Sequence, residues 1–285
     1  MTGTLVKENK RDFKCLKTFV YLDVIQNFMK ILIQITLMTF LLFFSNCSKL
    51  DKKNHKQKET LLIATQNFNN IKEVKRTLTI FSDSTYTFIE NLREPNHSKN
   101  ENFEGLLKIN KDSIKFHPFE LYFNKAETAV LKNGFIEFID GENPDRMKIE
   151  KTTLPVKNNL NLDKFPNYAV FTFNKNFDNG EWQQDYSNYD LNTRELSVID
   201  QIFQKEFLKN KKLRNFDEYL KQIVAVKNSR NEILIQARFF CKTSFLLESY
   251  QYYESDMHDG GNCNIYLEFN LTTRKFNFIN IAGMA

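Results

Sequence analysis

Apolar and polar residues alternate in short runs through the first half of the chain. Leu78 and Ile80 alternate with Thr77 and Thr79, Ser82-Asp83-Ser84 interrupts the run, and Tyr86 and Phe88 resume it. Leu107 and Ile109 lead into Asn110-Lys111-Asp112, and Ile114 and Phe116 follow. Lys132-Asn133-Gly134 precedes Ile136 and Phe138. A period of two bounded by turn residues predicts half-buried strands joined as hairpins. Asn133-Gly134 is the strongest turn signal, because both residues tolerate positive φ. Strands at this spacing predict an antiparallel β module over 61–152, a meander closing into a small barrel.

Residues 153–166 hold Pro155, Pro166 and an Asn-rich stretch and read as a linker. A second module is expected over 167–285. It opens on a strand-like Ala169-Val170-Phe171-Thr172-Phe173. A helix follows over about 193–209, with Asn192 as its cap and Glu195 three residues on as a capping-box partner. Leu196, Ile199, Ile202, Phe203 and Phe207 recur at helical spacing, so one stripe must pack on something. Strands are expected near 219–227, 233–241, 248–256, 263–271 and 276–281. Ile265, Leu267, Phe269 and Leu271 alternate strictly, which buries one face of that strand. The fold class predicted is α+β, mainly antiparallel β.

The N-terminal end differs. Residues 31–45 are uncharged and largely apolar, too short for a comfortable span of about 20 apolar residues. They fit the apolar region of a secretory signal, with Met29-Lys30 ahead and Cys47 behind. Residues 1–46 are therefore expected to be removed, and Met29 is the expected initiator. Residues 47–60 are polar and charged and read as a solvated tether.

Charge changes the picture little. The formal net charge is +5, but after residue 46 there are 34 basic and 32 acidic residues. The aromatics sit in strand-like runs rather than between clustered cations, which argues against nucleic-acid binding. Only 8 glycines are present, and Gly260-Gly261 is the single adjacent pair, leaving no place for a glycine-rich cofactor loop.

Phe44-Ser45-Asn46-Cys47, followed by Ser48-Lys49, resembles the loose lipobox of Bacteroidetes lipoproteins. Asn46 stands where the strict form has Gly, Ala or Ser. The resemblance implies that the Cys47 thiol takes a diacylglycerol, that cleavage falls before it, and that acylation, palmitate included, anchors the mature protein in a membrane. Ser48 rather than Asp after the cysteine points to the outer membrane. Residues 129–151 are similar to hairpin segments of uncharacterised lipoproteins from that phylum, and the first module is expected to be lipocalin-like. Residues 190–285 resemble a cystatin-like domain, which implies a helix packed on an antiparallel sheet. Asp83-Ser84-Thr85 and Asp112-Ser113-Ile114 are similar to the short O-glycosylation sites of the same phylum.

Candidate chemistry is sparse. In an exported chain Cys241 and Cys263 suit a disulfide; two free thiols on separate strands suit the sequence equally. Asp256-Met257-His258-Asp259-Gly260-Gly261 gathers a histidine and two carboxylates, enough for a metal or an unfamiliar active site with His117 or Glu254, but Asp259-Gly260-Gly261-Asn262 is also a good hairpin turn. His55, His97 and His117 have no second ligand at metal spacing. Trp182, Tyr186 and Tyr189 lie among polar residues and suit either ligand stacking or the edge of a core. No catalytic, cofactor-binding or metal set is assigned. The function expected is binding or inhibition of an envelope protein, peptide or glycan. An envelope enzyme and a structural surface protein are the alternatives.

Overall fold

The computed structural model describes residues 58–69, 73–94, 96–117, 125–177, 185–243, 249–255 and 259–283. The expected leader and Cys47 lie outside these residues. From Lys58 onward the chain forms one compact unit.

Eight strands make a barrel: β1 (Thr60–Asn69), β2 (Glu73–Phe81), β3 (Thr85–Glu94), β4 (His97–Ile109), β5 (Ile114–His117), β6 (Thr128–Lys132), β7 (Phe135–Phe138) and β8 (Asp145–Thr152). Each runs antiparallel to the next, and β8 returns to β1 with Leu62 opposite Thr152. Closure removes the free edges an open sheet would expose. The three sequence-predicted turns are the β2–β3, β4–β5 and β6–β7 connections. Asn133 and Gly134 both take positive φ, 50° and 84°. The inward phase carries Leu62, Ala64, Leu78, Ile80, Tyr86 and Phe88, which join Phe116, Phe138 and Met147 in one packed cluster.

The second half forms a six-stranded sheet from β9 (Tyr168–Phe171), β10 (Ser187–Asn188), β11 (Tyr219–Lys227), β12 (Ile233–Cys241), β13 (Gly261–Asn270) and β14 (Lys275–Ala282). Helix α1 (Thr193–Lys209) has both halves of its capping box: Asn192 accepts from the Arg194 and Glu195 amides, and Glu195 accepts from the Asn192 amide. Its Leu196, Ile199, Phe203 and Phe207 sit in the cluster formed with Ile235, Phe239, Leu267 and Phe269. Phe203 meets Phe239 edge-on at 5.6 Å between ring centres.

The expected α+β class, with a cystatin-like second module, is corrected. The chain is dominated by strands, a closed barrel plus a second sheet, with α1 the one α-helix among the described residues; only the lipocalin-like barrel is met in part. Three physical features explain the difference. β9 joins in parallel beside β11, pairing Tyr168 with Lys221, so the sheet is mixed. β11 and β12 are covered on both faces: opposite the helix, Leu220, Val224 and Leu234 pack with Phe171, Phe173 and Tyr250. The strand expected over 248–256 does not form among its described residues. Residues 249–252 are a turn, and its tyrosines scatter into different partners.

Barrel and sheet are joined through β8. The Arg146 side chain is about 1% exposed. Its guanidinium lies between the Phe135 and Phe171 rings at 4.0 and 4.1 Å. It donates to the Val170 and Gln251 carbonyls at 2.7 and 2.5 Å and pairs with Glu137 at 3.2 Å. Burial lowers its pKa and Glu137 opposes the shift. Glu137 in turn accepts the Thr172 amide at 2.9 Å. A buried arginine needs its donors satisfied, and here the satisfaction comes from both halves of the molecule.

Candidate functional site

The most site-like cavity arises where β5 and β6 part. They pair at only two positions, Ile114 with Ala129 and Lys115 with Thr128. Beyond Ala129, β6 stays paired with β7 but its edge facing β5 is left without a β5 partner. The linker takes the edge thus freed: Lys157 bridges Lys132 in parallel, donating to the Leu131 carbonyl and accepting from the Asn133 amide, both at 3.0 Å. Between turn, linker and second sheet lies a cleft of about 660 Å³.

Its lining is divided. Ile109, Ile114, Val130 and Ile139 from the barrel face Leu154-Pro155-Val156 from the linker. At one end Lys132, Lys157, Thr172, Asn188 and Asp190 converge. Asp190 binds both lysines: Lys132 at 2.5 Å on one carboxylate oxygen and Lys157 on the other. Asn188 donates to the first oxygen at 2.8 Å. Burial raises the Asp190 pKa, but hydrogen bonds from Lys132 and Lys157 outweigh it and hold the carboxyl below its ordinary range. Lys132 also donates to Thr172 Oγ1 at 3.2 Å. The short β10 places the acid: Asn188 pairs with Val226, and its side chain accepts the Phe173 amide.

A second polar cluster closes one end of the barrel. Gln66, Arg76, Glu90 and Asp145 continue the inward phase beyond the apolar core, and all are buried. Arg76 Nε donates to Glu90 at 2.5 Å, and its Nη1 to Gln66 Oε1 at 2.7 Å and to the Tyr253 hydroxyl. Gln66 Nε2 donates to Asp145 at 2.7 Å. Tyr253 reaches in from 249–255, where its backbone bridges Asp145. Burial pushes the Asp145 carboxyl up to about 7, against the opposing pull of Arg76. Burial likewise raises the Tyr253 phenol. One arginine faces two carboxylates and holds Glu90 on its Nε, and at Asp145 burial outweighs its pull.

Buried Lys221 stands apart from both. Its ammonium lies 4.0 Å from the centre of the Phe216 ring and donates to the Tyr219 carbonyl at 3.2 Å. Burial pulls its pKa down to about 8.

The structure disperses most of the sequence-predicted site. Asp256, His258 and Trp182 fall outside the described residues, as does His55. Asp259 precedes β13, where Gly260 and Gly261 both take positive φ as a turn requires. Glu254 is paired with Arg238 on the second sheet. His117 is exposed at the end of β5 opposite Leu106, and His97 is exposed opposite Glu94. Tyr186 packs on Phe173 at 6.3 Å, and the Tyr189 hydroxyl donates to Glu195 at 2.8 Å, so both edge the core. Ser84 and Asp112 lie in exposed turns, while Ser113 lines the cleft. Cys241 and Cys263 form a disulfide with Cα atoms 4.8 Å apart. β12 and β13 are direct partners with Phe240 opposite Asn264, so the next pair outward is the two cysteines.

Sequence reading missed both polar sites. The cleft has no local signal, because it depends on the linker returning to β6. The barrel cluster has one: Gln66, Arg76 and Glu90 each follow or interrupt an inward apolar phase, where a polar residue demands a partner. Comparison with protein-family models, curated proteins and solved structures finds no match for this chain.

Proposed function

We propose that this chain is a lipid-anchored envelope protein, held at the outer membrane through Cys47, that binds a small ligand in the seam cleft without transforming it. The observation that carries the binding role is the cleft itself: about 660 Å³, aliphatic along its walls, with charged groups converging at one end. Concave, mostly apolar sites with a few convergent polar groups are the usual form of small-molecule sites. The anchor rests on the apolar run over 31–45, the following Cys47 and the polar tether to residue 60. Ser48 after the cysteine favours the outer membrane.

Two measurements test the reading. Mass spectrometry of membrane fractions should find a mature N-terminus at Cys47 carrying acyl chains; an unacylated chain running through the leader refutes the anchor. Native mass spectrometry of the protein isolated from its own envelope should show a small molecule retained by the wild type and lost in Val130→Trp, which fills the cleft. Val130 is only partly buried and points out of the barrel, so circular dichroism should show that the variant keeps its strands. Equal retention by both proteins refutes the binding site.

A further inference from the structure

The cleft's lining is selective about its contents. The chain has 28 Phe and 11 Tyr, yet no aromatic side chain is among the described residues lining the cleft. Sugars and nucleobases are generally held by stacking on rings, and that platform is missing. Aliphatic walls suit a flexible alkyl chain, which gains from area removed from water and asks for no directional contact.

The polar end sets the other half of the ligand. Lys132, about 4% exposed, gives two of its three donors to Asp190 and Thr172. Lys157 is 60% exposed and shares the same carboxylate. Two ammonium groups on one aspartate leave a surplus of one positive charge at one end of an apolar cleft. Lys111 and Asp112, in the β4–β5 turn that also lines the cleft, offset one another. A single negative charge complements this arrangement. Lysine, a point charge without the planar fork of arginine, does not demand bidentate geometry.

Size follows from the register. Ile114, the last β5 residue to pair with β6, lies opposite Ala129, and Lys132 is three residues further along β6. At about 3.3 Å per residue this spans roughly 10 Å. A zigzag chain with C–C bonds of about 1.5 Å advances about 1.25 Å per bond, so roughly nine carbons cover that length.

We infer that the cleft takes a single-chain aliphatic carboxylate of medium length, its acid group beside Lys132 and Lys157 and its chain along Val130, Ile139 and Leu154. This rests on the cleft being the binding site proposed above, and deepens that reading by naming the ligand class. Lys157 is the selecting residue: it is exposed enough to meet an incoming acid, and its removal leaves Lys132 and Asp190 balanced.

Equilibrium dialysis of the full-length protein against labelled decanoate, decanol and decyl phosphate provides the test, with all variants in the same medium. Decanoate should bind the wild type more tightly than decanol. Lys157→Ala should weaken decanoate about fivefold, the scale of one partly exposed ion pair, and leave decanol unchanged. Val130→Trp should abolish both. Decanoate binding no tighter than decanol, or a loss in Lys157→Ala shared equally by both, overturns the anionic head. Tighter binding of decyl phosphate than decanoate overturns the single charge. If envelope-derived material is lost in Val130→Trp while decanoate never binds the wild type, the ligand class is wrong and the cleft stands as a site. If neither depends on Val130, both fall.

Discussion

Raising the pH should destabilise this protein through one carboxyl group. Asp145 is fully buried at the barrel's polar end, with its pKa pushed up to about 7 from the ordinary 3.8. Burial is the main cause; the nearby Arg76 works against it and loses. The geometry explains the outcome, because Arg76 Nε is bound to Glu90 at 2.5 Å while the hydrogen bonds to Asp145 come from neutral donors, the Gln66 amide at 2.7 Å and the Arg146 backbone N–H. A carboxyl that holds its proton more tightly folded than unfolded adds stability that is complete below about pH 4. That contribution declines as the pH climbs towards 7 and is gone above it. The span between 3.8 and about 7 corresponds to roughly 4 kcal/mol at about 1.4 kcal/mol per pH unit. Against a total of about 5–15 kcal/mol, that is a large share.

The perturbation that isolates this term is Asp145→Asn. Asparagine keeps the oxygen that accepts from Gln66 and has nothing to ionise. Urea unfolding of wild type and variant should be compared at intervals from pH 4.5 to 8.5, so that other groups cancel in the difference. The two should be closest at the acid end. The variant should gain on the wild type as the pH rises, levelling off above 7 at up to about 4 kcal/mol. A difference independent of pH refutes the reasoning. A difference that grows in favour of the wild type shows that Arg76 holds the carboxylate ionised and that burial does not decide its state.

Lys221 gives the complementary test. Burial lowers its pKa to about 8 from 10.5, so folding favours the neutral amine, and stability should rise between about pH 8 and 10.5. Lys221→Met should raise the unfolding free energy read by urea at pH 7 by up to about 3 kcal/mol, with the advantage fading at alkaline pH; no gain at pH 7 counts against it. Reducing the Cys241–Cys263 bond, which closes a separation of 22 residues, should cost about 3 kcal/mol in unfolding experiments with and without reductant. Asn192→Ala removes the oxygen that accepts the Arg194 and Glu195 amides and should cost about 1 kcal/mol, read by thermal unfolding. Tyr253→Phe should cost about 1 kcal/mol or more by removing the hydroxyl that joins Arg76 and Gln66.

What the sequence revealed follows the range of the forces involved. Helix α1 was readable because its cap, capping-box partner and apolar stripe lie within 17 residues and depend on little else. The hairpin turns were readable because Asn133-Gly134 and Ser82-Asp83-Ser84 declare themselves in a few residues. The class of the second module was not, because β9 pairs with β11 at a separation of 53 residues and does so in parallel. The strand expected over 248–256 gives way to a turn that holds Tyr250 and Tyr252, with Tyr253 next to it. Their rings are amphipathic, and each hydroxyl found a different partner: Tyr250 the Pro166 carbonyl at 2.6 Å, and Tyr253 the Gln66 side chain at 2.8 Å.

The same distinction separates the two polar sites. Half of the barrel cluster was within reach of the sequence. Once the turn at Ser82–Ser84 is fixed, Ile80 faces Tyr86, Leu78 faces Phe88, and Arg76 must face Glu90. Those last two occupy the inward phase, so a buried ion pair follows from the hairpin alone. Asp145 and Tyr253 do not follow, since they arrive from β8 and from beyond β12. The cleft follows even less. It exists because β5 is four residues long and β6 five, which lets the linker pair where a neighbouring strand would have closed the wall. The feature that most invites a ligand is thus a shortfall in strand length, and a shortfall leaves no motif behind.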